Sequence, residues 1–350
     1  MLFSVLLLKK SAHMKSLFLR CAFVVLSIAI SRSNVQAAVV SFGSGTNVFQ
    51  MEFVTIGNPG NAADTAGNPN LAGAVGYTYG IGKFEVSRDM ITKFNASQSF
   101  QIGLSDMSDF GGNGLLKPAT GVSWNEAARF VNWLNTSSGY HAAYKFTTNG
   151  VNDNIALWTS GEAGYDSSNH YRNSLARYVL PSFNEWYKAA YFNPSNNTYY
   201  DFPNGSNTAP LAVSSGTAIN TAVYNGKDSF ANSVSPVGPA DVDKAGGLSP
   251  YGVMGLGGNV FEWEESSGDL ANSSGSSSRG LRGGKWADIS NELSSSSRFS
   301  VNVLTKSNNW GFRVASLSSS APPAVPEPSM MLIGTLFGLG GLVAKRRMKK

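Results

Sequence analysis

Cysteine is nearly missing from this sequence: Cys21 is the single one in 350 residues. One thiol cannot pair within its own chain, so an internal disulfide, a multi-thiolate metal site and a two-cysteine redox centre are excluded. Histidine is almost as scarce, with three in the chain and only His141 and His170 outside the N-terminal segment. Two are too few for a three-histidine metal centre, and their separation rules out a helix-mounted pair. Charged residues make up only 14%, and their distribution matters more than their sum. Of 27 Lys and Arg, five lie in residues 1–37 and five in 345–350, leaving 17 against 22 acidic residues, a formal −5, for 38–344. The whole-chain charge of +5 therefore belongs to the two ends, and no nucleic-acid footprint remains in the body. That body, about 280 residues, is long enough to bury a sizeable core without covalent staples.

The ends read as address labels. Residues 14–37, MKSLFLRCAFVVLSIAISRSNVQA, have a basic start, an apolar run from Phe18 to Ile30, and Val35 and Ala37 before a cleavage point placed after Ala37. Met14 is an alternative start, and Cys21 leaves with this signal. At the other end a Pro-rich hinge, Ala321–Pro328, precedes the apolar run Met330–Ala344 and a tail of Lys345, Arg346, Arg347, Lys349 and Lys350. Fifteen residues of helix span about 22 Å, short of the roughly 30 Å of a bilayer core. The basic cluster nonetheless reads as a cytoplasmic stop, so a short transmembrane helix is expected here. Val325-Pro326-Glu327-Pro328-Ser329 with the helix and basic tail resembles the PEP-CTERM sorting signal of Gram-negative bacteria. That resemblance implies export across the inner membrane, membrane attachment through the C-terminal helix before processing, and an exosortase-type processing enzyme as partner. It also implies an envelope or extracellular destination associated with exopolysaccharide. The expected organisation is a signal region at 1–37, one domain at 38–320, and a hinge, helix and tail at 321–350.

Within the body, Ala38–Phe42, Phe49–Ile56 and Tyr77–Val86 read as strands. Ser87 is a candidate cap for a short helix to about Asn95, with Met90, Ile91 and Phe94 facing inward. Ser123-Trp124-Asn125-Glu126 fits a capping box, followed by Ala127, Ala128, Val131 and Leu134 at helical spacing. Ser182-Phe183-Asn184-Glu185 repeats it ahead of Trp186, Ala189 and Ala190. Residues 139–178 show no sustained period, and 191–250 are rich in Asn, Ser, Pro, Gly and Tyr, which favours ordered loops.

The focal stretch is Ser249–Trp263, SPYGVMGLGGNVFEW, where glycines lead into an alternation of Phe261, Glu262 and Trp263. Three readings fit the pattern: a glycine turn feeding a core strand, a calcium loop with Glu262 and nearby carbonyls as hard oxygen ligands, or a ligand surface. Downstream, Leu281–Trp286 reads as a strand and tight turn and Asn309–Ala315 as a closing strand. Arg282 and Arg313 on these segments could clamp an anion bidentately or form buried structural salt bridges.

Taken together, Gly121–Leu134 (GVSWNEAARFVNWL), Val179–Ala190 (VLPSFNEWYKAA), Ser249–Trp263, Leu281–Trp286 (LRGGKW) and Gly311–Ala315 (GFRVA) resemble the sulfatase-modifying factor domain of formylglycine-generating enzymes. The resemblance spans roughly 48–316 and implies an irregular, loop-rich α+β fold, C-type-lectin-like, often with bound calcium. It places the calcium ligands at the carbonyls of Gly258 and Val260 and the carboxylate of Glu262, with a side-chain oxygen lost at Gly255. It places the family's copper-binding cysteines at Asp288 and near Leu293, so no copper is expected. Two functions follow as expectations. One is a noncatalytic, exported binding or structural module, its ligand a glycan or another exported polymer. The other is an enzyme that has reused the pocket with Asp288, Glu262, His141 and His170.

Overall fold

Phe49–Ile56 alternates buried and less buried residues along FQMEFVTI, as a strand with one face on a core does. In the computed structural model this is β2, paired antiparallel with β1 (Ala38–Phe42) and with β3 (Tyr79–Gly82). The described residues are 38–317, apart from 70, 149, 151–152 and 226–237.

Helices follow where their caps stand in the sequence. The Ser87 side chain accepts the Met90 N–H and starts α1 (Arg88–Ser97), which buries Ile91 and Phe94. Complete capping boxes start α2 (Trp124–Thr136) and α3 (Phe183–Tyr191), in which Ser123 and Ser182 exchange hydrogen bonds with Glu126 and Glu185. Between them lies β4 (Tyr178–Val179). Two minor ribbons come next, β5 (Phe192–Asn193) with β6 (Thr198–Tyr199) and β7 (Leu211–Ala212) with β8 (Thr221–Ala222). The last strands are β9 (Phe261–Ser267), β10 (Arg279–Arg282), β11 (Phe299–Val301), β12 (Trp310–Gly311) and β13 (Ala315–Leu317).

Two larger sheets organise this mixed α+β, loop-rich fold. One has the order β1-β2-β3-β13-β4 and the other β11-β10-β9-β12. The expected single closing strand over 309–315 is in fact two. Trp310–Gly311 runs parallel to β9, then the chain crosses to the first sheet, where Ala315–Leu317 pairs with β3 and β4. Arg313 lies at the crossing. The main core packs α1 and α2 against both sheets, with Phe94, Trp124, Phe130, Trp263 and Phe312 fully or almost fully buried. A second cluster gathers around Trp186, Tyr187 and Tyr191 of α3.

The expectation of a transmembrane helix, and of membrane attachment through it, is corrected. Among the described residues no helix is long and apolar enough to cross a membrane. The run at 330–344 lies outside the described residues, as does the signal region, and fifteen residues fall short of a bilayer in any case.

Candidate functional site

Strand β9 reads FEWEESS, and all seven of its residues are buried. Aromatics at 261 and 263 account for part of that; three carboxylates need another explanation, because a buried charge is tolerated only when paired and hydrogen-bonded. Each finds an arginine from a distant segment. Glu262 pairs with Arg313, Glu264 with Arg282 and Arg298, and Glu265 with Arg172. The strand is thus a buried spine of charge that ties loops to the sheet.

At the first of these pairs, Arg313 donates from Nη2 to Glu262 Oε1 and from Nε to Oε2, both at 2.5 Å. Trp186 Nε1 adds a bond to Oε2 at 2.7 Å. Arg313 Nη1 also reaches Gly82 O at 2.8 Å and Nη2 reaches Met254 O at 2.9 Å. Asn259, at φ 61°, donates to Glu85 Oε2 at 2.7 Å and accepts the Ala240 N–H at 2.8 Å. Glu85 is buried, and its Oε1 has no hydrogen-bond partner. Burial first, and the nearby Glu262 charge second, push its pKa well above the usual carboxylate range, against the pull of Arg313 and Asn259. Gly258 is held at φ +80°, with a hypothetical Cβ only 2.1 Å from Val223 O, so only glycine fits this approach. A Cβ at Gly255 would stand 3.2 Å from the Glu85 carboxyl carbon. Gly258 and Val260 flank Asn259 beside the buried Glu85 and Glu262, and both Glu262 oxygens are already held by Arg313 and Trp186.

The second constellation was not foreseen. Arg172 donates from Nη1 and Nη2 to the two oxygens of Glu185, each at 2.8 Å, and from Nε to Glu265 Oε2 at 2.8 Å. Tyr77 OH donates to Glu185 Oε1 at 2.6 Å, Tyr144 OH to Glu265 Oε2 at 2.7 Å, and Asn169 Nδ2 to Glu265 Oε1 at 2.5 Å. Burial alone would raise the Glu185 pKa. The Arg172 charge and the bonds from Arg172, Tyr77 and the Ser182 N–H outweigh it and hold the group at about 2. The Tyr144 hydroxyl is pushed up by burial and by the adjoining Glu265 charge.

The candidates for a reused catalytic pocket have no hydrogen-bond or ion-pair partner in common. Asp288 Oδ2 accepts the Lys285 N–H at 3.1 Å, with Lys285 Nζ 3.7 Å from Oδ1. Burial raises its pKa to about 6 against the pull of Lys285. His170 Nε2 meets Tyr165 OH at 3.2 Å with the rings stacked, and His141 is exposed. Leu293 is fully buried in a small apolar cluster with Ala222 and Tyr224. Among the described residues no group of three or more His, Cys, Asp or Glu could hold a metal ion. With a single cysteine in the whole chain, the copper–cysteine pair that carries oxygen-dependent formylglycine chemistry has no residues to form it.

Arg282 and Arg313 are each fully buried and committed to internal carboxylates. Arg282 also donates to the carbonyls of Ser295, Ser297 and Asn68 and packs against the Phe183 and Tyr187 rings. The sequence did carry a signal for the missed residues. Three acids within five positions of an aromatic strand must either face water or find cations, and Arg172, Arg282, Arg298 and Arg313 supply them.

This architecture has known counterparts. The profile of the sulfatase-modifying factor enzyme 1-like domain matches residues 46–317. Among solved structures, Treponema denticola variable protein 1 superposes with a TM-score of 0.54 at 19% identity, over 80% of this chain and 99% of that one. CarF matches at a TM-score of 0.47 and 16% identity, over 76% of this chain and 98% of its own. PvdO from Pseudomonas aeruginosa matches at 0.47 and 14%, over 79% and 97%. No curated protein matches by sequence. The chain belongs to the sulfatase-modifying factor enzyme 1-like domain family, on a scaffold from which the family's cysteine pair is missing.

Proposed function

We propose that this protein is an exported, noncatalytic binding module of the envelope or extracellular matrix, which keeps the family scaffold and has given up its oxidative chemistry. The observation that carries the reading is Leu293. Where the resemblance places a copper-binding cysteine stands a leucine with no exposed surface, packed among Ala222 and Tyr224. The partner position, Asp288, is engaged with Lys285. A soft copper ion has no thiolate there. Export rests on the signal-like residues 14–37, and the division at 37 and 320 belongs to the same proposal, as does the relation to C-type lectins. The test is direct. The full chain, incubated with copper, oxygen and a cysteine-bearing sulfatase peptide, is expected to yield no aldehyde, and aldehyde formation would overturn the noncatalytic reading. Co-sedimentation with the producing cell's extracellular polymer is expected; protein left wholly in the supernatant would overturn the binding role.

The same proposal assigns calcium to the corner of Gly258, Val260 and Glu262. Its support is the unpartnered Glu85 Oε1, buried beside Glu262 in the same corner. An ion that binds only the folded state raises its melting temperature. Calcium is expected to raise the melting temperature of the chelator-treated protein and to do so less in Glu262→Gln. A native melt indifferent to calcium and chelator would remove the ion from the account.

A further inference from the structure

A half-open cavity of about 360 Å3 lies over the Arg172 network, walled by the loop at 74–77, the loop at 166–172, the first turn of α3 and the turn at 270–272. Its size falls near the lower end of the roughly 300–1,000 Å3 of small-molecule pockets, enough for one ring rather than a chain. Three polar side chains in its wall share one arrangement. Asn184 Oδ1 accepts the Gly73 N–H at 2.8 Å, Asn272 Oδ1 accepts the Ser267 N–H at 2.9 Å, and Asp166 Oδ1 accepts the Ser168 N–H at 2.8 Å. Each side chain is anchored through one oxygen. The other ends, two amide donors and one carboxylate acceptor, have no partner among the described residues. Groups held still before a ligand arrives lose little freedom on binding it.

The floor and the aromatic wall narrow the chemistry. Tyr77 is 46% exposed, and its hydroxyl is tied to Glu185 while its ring stands edge-on to Tyr79 at 6.1 Å. A ring fixed in this way offers an apolar face beside polar groups. Beneath it, Glu185 and Glu265 both pair with Arg172, and Asp166 adds a further carboxylate, so an anion would meet a lining with more carboxylate than cation. An apolar ligand would strand the free amides and the carboxylate, which are costly to desolvate without partners. A neutral ring bearing several hydroxyls can accept from the amides, donate to Asp166 and lay a C–H face against Tyr77. From this geometry we infer that the cavity binds a single sugar unit. The inference rests on the binding role proposed above and adds the site and the ligand class.

The probes are free glucose, galactose, mannose and N-acetylglucosamine, each titrated against the full chain and followed by saturation-transfer NMR. Saturation of at least one is expected. Ala74 is exposed at the mouth and carries no side-chain hydrogen bond, so Ala74→Trp fills the opening without removing a structural contact; it is expected to weaken binding at least tenfold. Tyr77→Phe is expected to weaken it several-fold. Thr136→Trp, in a separate cavity beside α1 and α2, is expected to leave it unchanged, and circular dichroism confirms that each variant is folded. No transfer to any of the four sugars, native-like binding in folded Ala74→Trp, or loss only in Thr136→Trp would each overturn the assignment. If the protein still co-sediments with extracellular polymer in such a case, the pocket fails while the binding role stands; if it does not, both fail.

Discussion

The starts of α2 and α3 are chemically the same and energetically different. In both, a serine side chain accepts the N–H of a glutamate three residues on, and the glutamate accepts the serine N–H, at 2.9 Å for Ser123 and 2.6 Å for Ser182. At α2 the second glutamate oxygen meets Lys306, whose side chain is 41% exposed. At α3 it meets Arg172 and Tyr77 inside the protein, and Arg172 carries the connection on to Glu265 of β9. The same four-residue device therefore only starts a helix in one place and also anchors a buried charge network in the other. What a motif contributes depends on what its spare valence touches.

Breaking that difference should produce the largest effect. Glu185→Ala removes a cap and leaves Arg172 short of one of its two carboxylates, so a loss of about 3–5 kcal/mol is expected from chemical denaturation, in the range for breaking a buried pair. Acid titration probes the same group without mutation. Its folded pKa of about 2 lies below the ordinary 4.5, so its contribution is fully present above about pH 4.5 and is lost as pH falls toward 2. Unfolding free energy followed across that window should decline with acid, and the decline should be shallower in Glu185→Gln. An unchanged slope would mean that Arg172 does not hold the carboxylate as described. The smallest effect belongs to α2. Glu126→Ala loses a reciprocal cap bond and a half-exposed contact with Lys306, for about 1 kcal/mol. Equal losses in Glu126→Ala and Glu185→Ala would erase the distinction between the two helices.

Much of the local structure was legible because it is set by neighbours in the chain. Ser87, Ser123 and Ser182 announce three helix starts, and the alternation of Phe49–Ile56 announces a strand, since caps and periodicity act within a few residues. The closing segment was legible only in part. Residues 309–315 look like one strand, yet the chain leaves β9 after Gly311 and joins β3 at Ala315. That switch is decided by which edges are free to pair. The acids of β9 were visible, but their partners Arg172, Arg298 and Arg313 lie 34 to 93 residues away from them, beyond any pattern of spacing. The cavity over the Arg172 network was equally hidden: Ala74, Asp166, Asn184 and Asn272 come from four separate segments.

By itself the sequence determined what chemistry is closed to this protein. A chain with one cysteine cannot make a cysteine pair in any fold, and a landmark order running from GVSWNEAARFVNWL to GFRVA is a property of the chain alone. Only the tertiary structure decided that Arg282 and Arg313 are buried partners of Glu264 and Glu262, that Leu293 fills an apolar cluster, and that three half-anchored polar side chains face one cavity. Composition limits which atoms are available, whereas pairing and cavity shape depend on contacts made across the sequence, where burial makes an unpaired charge too costly to leave.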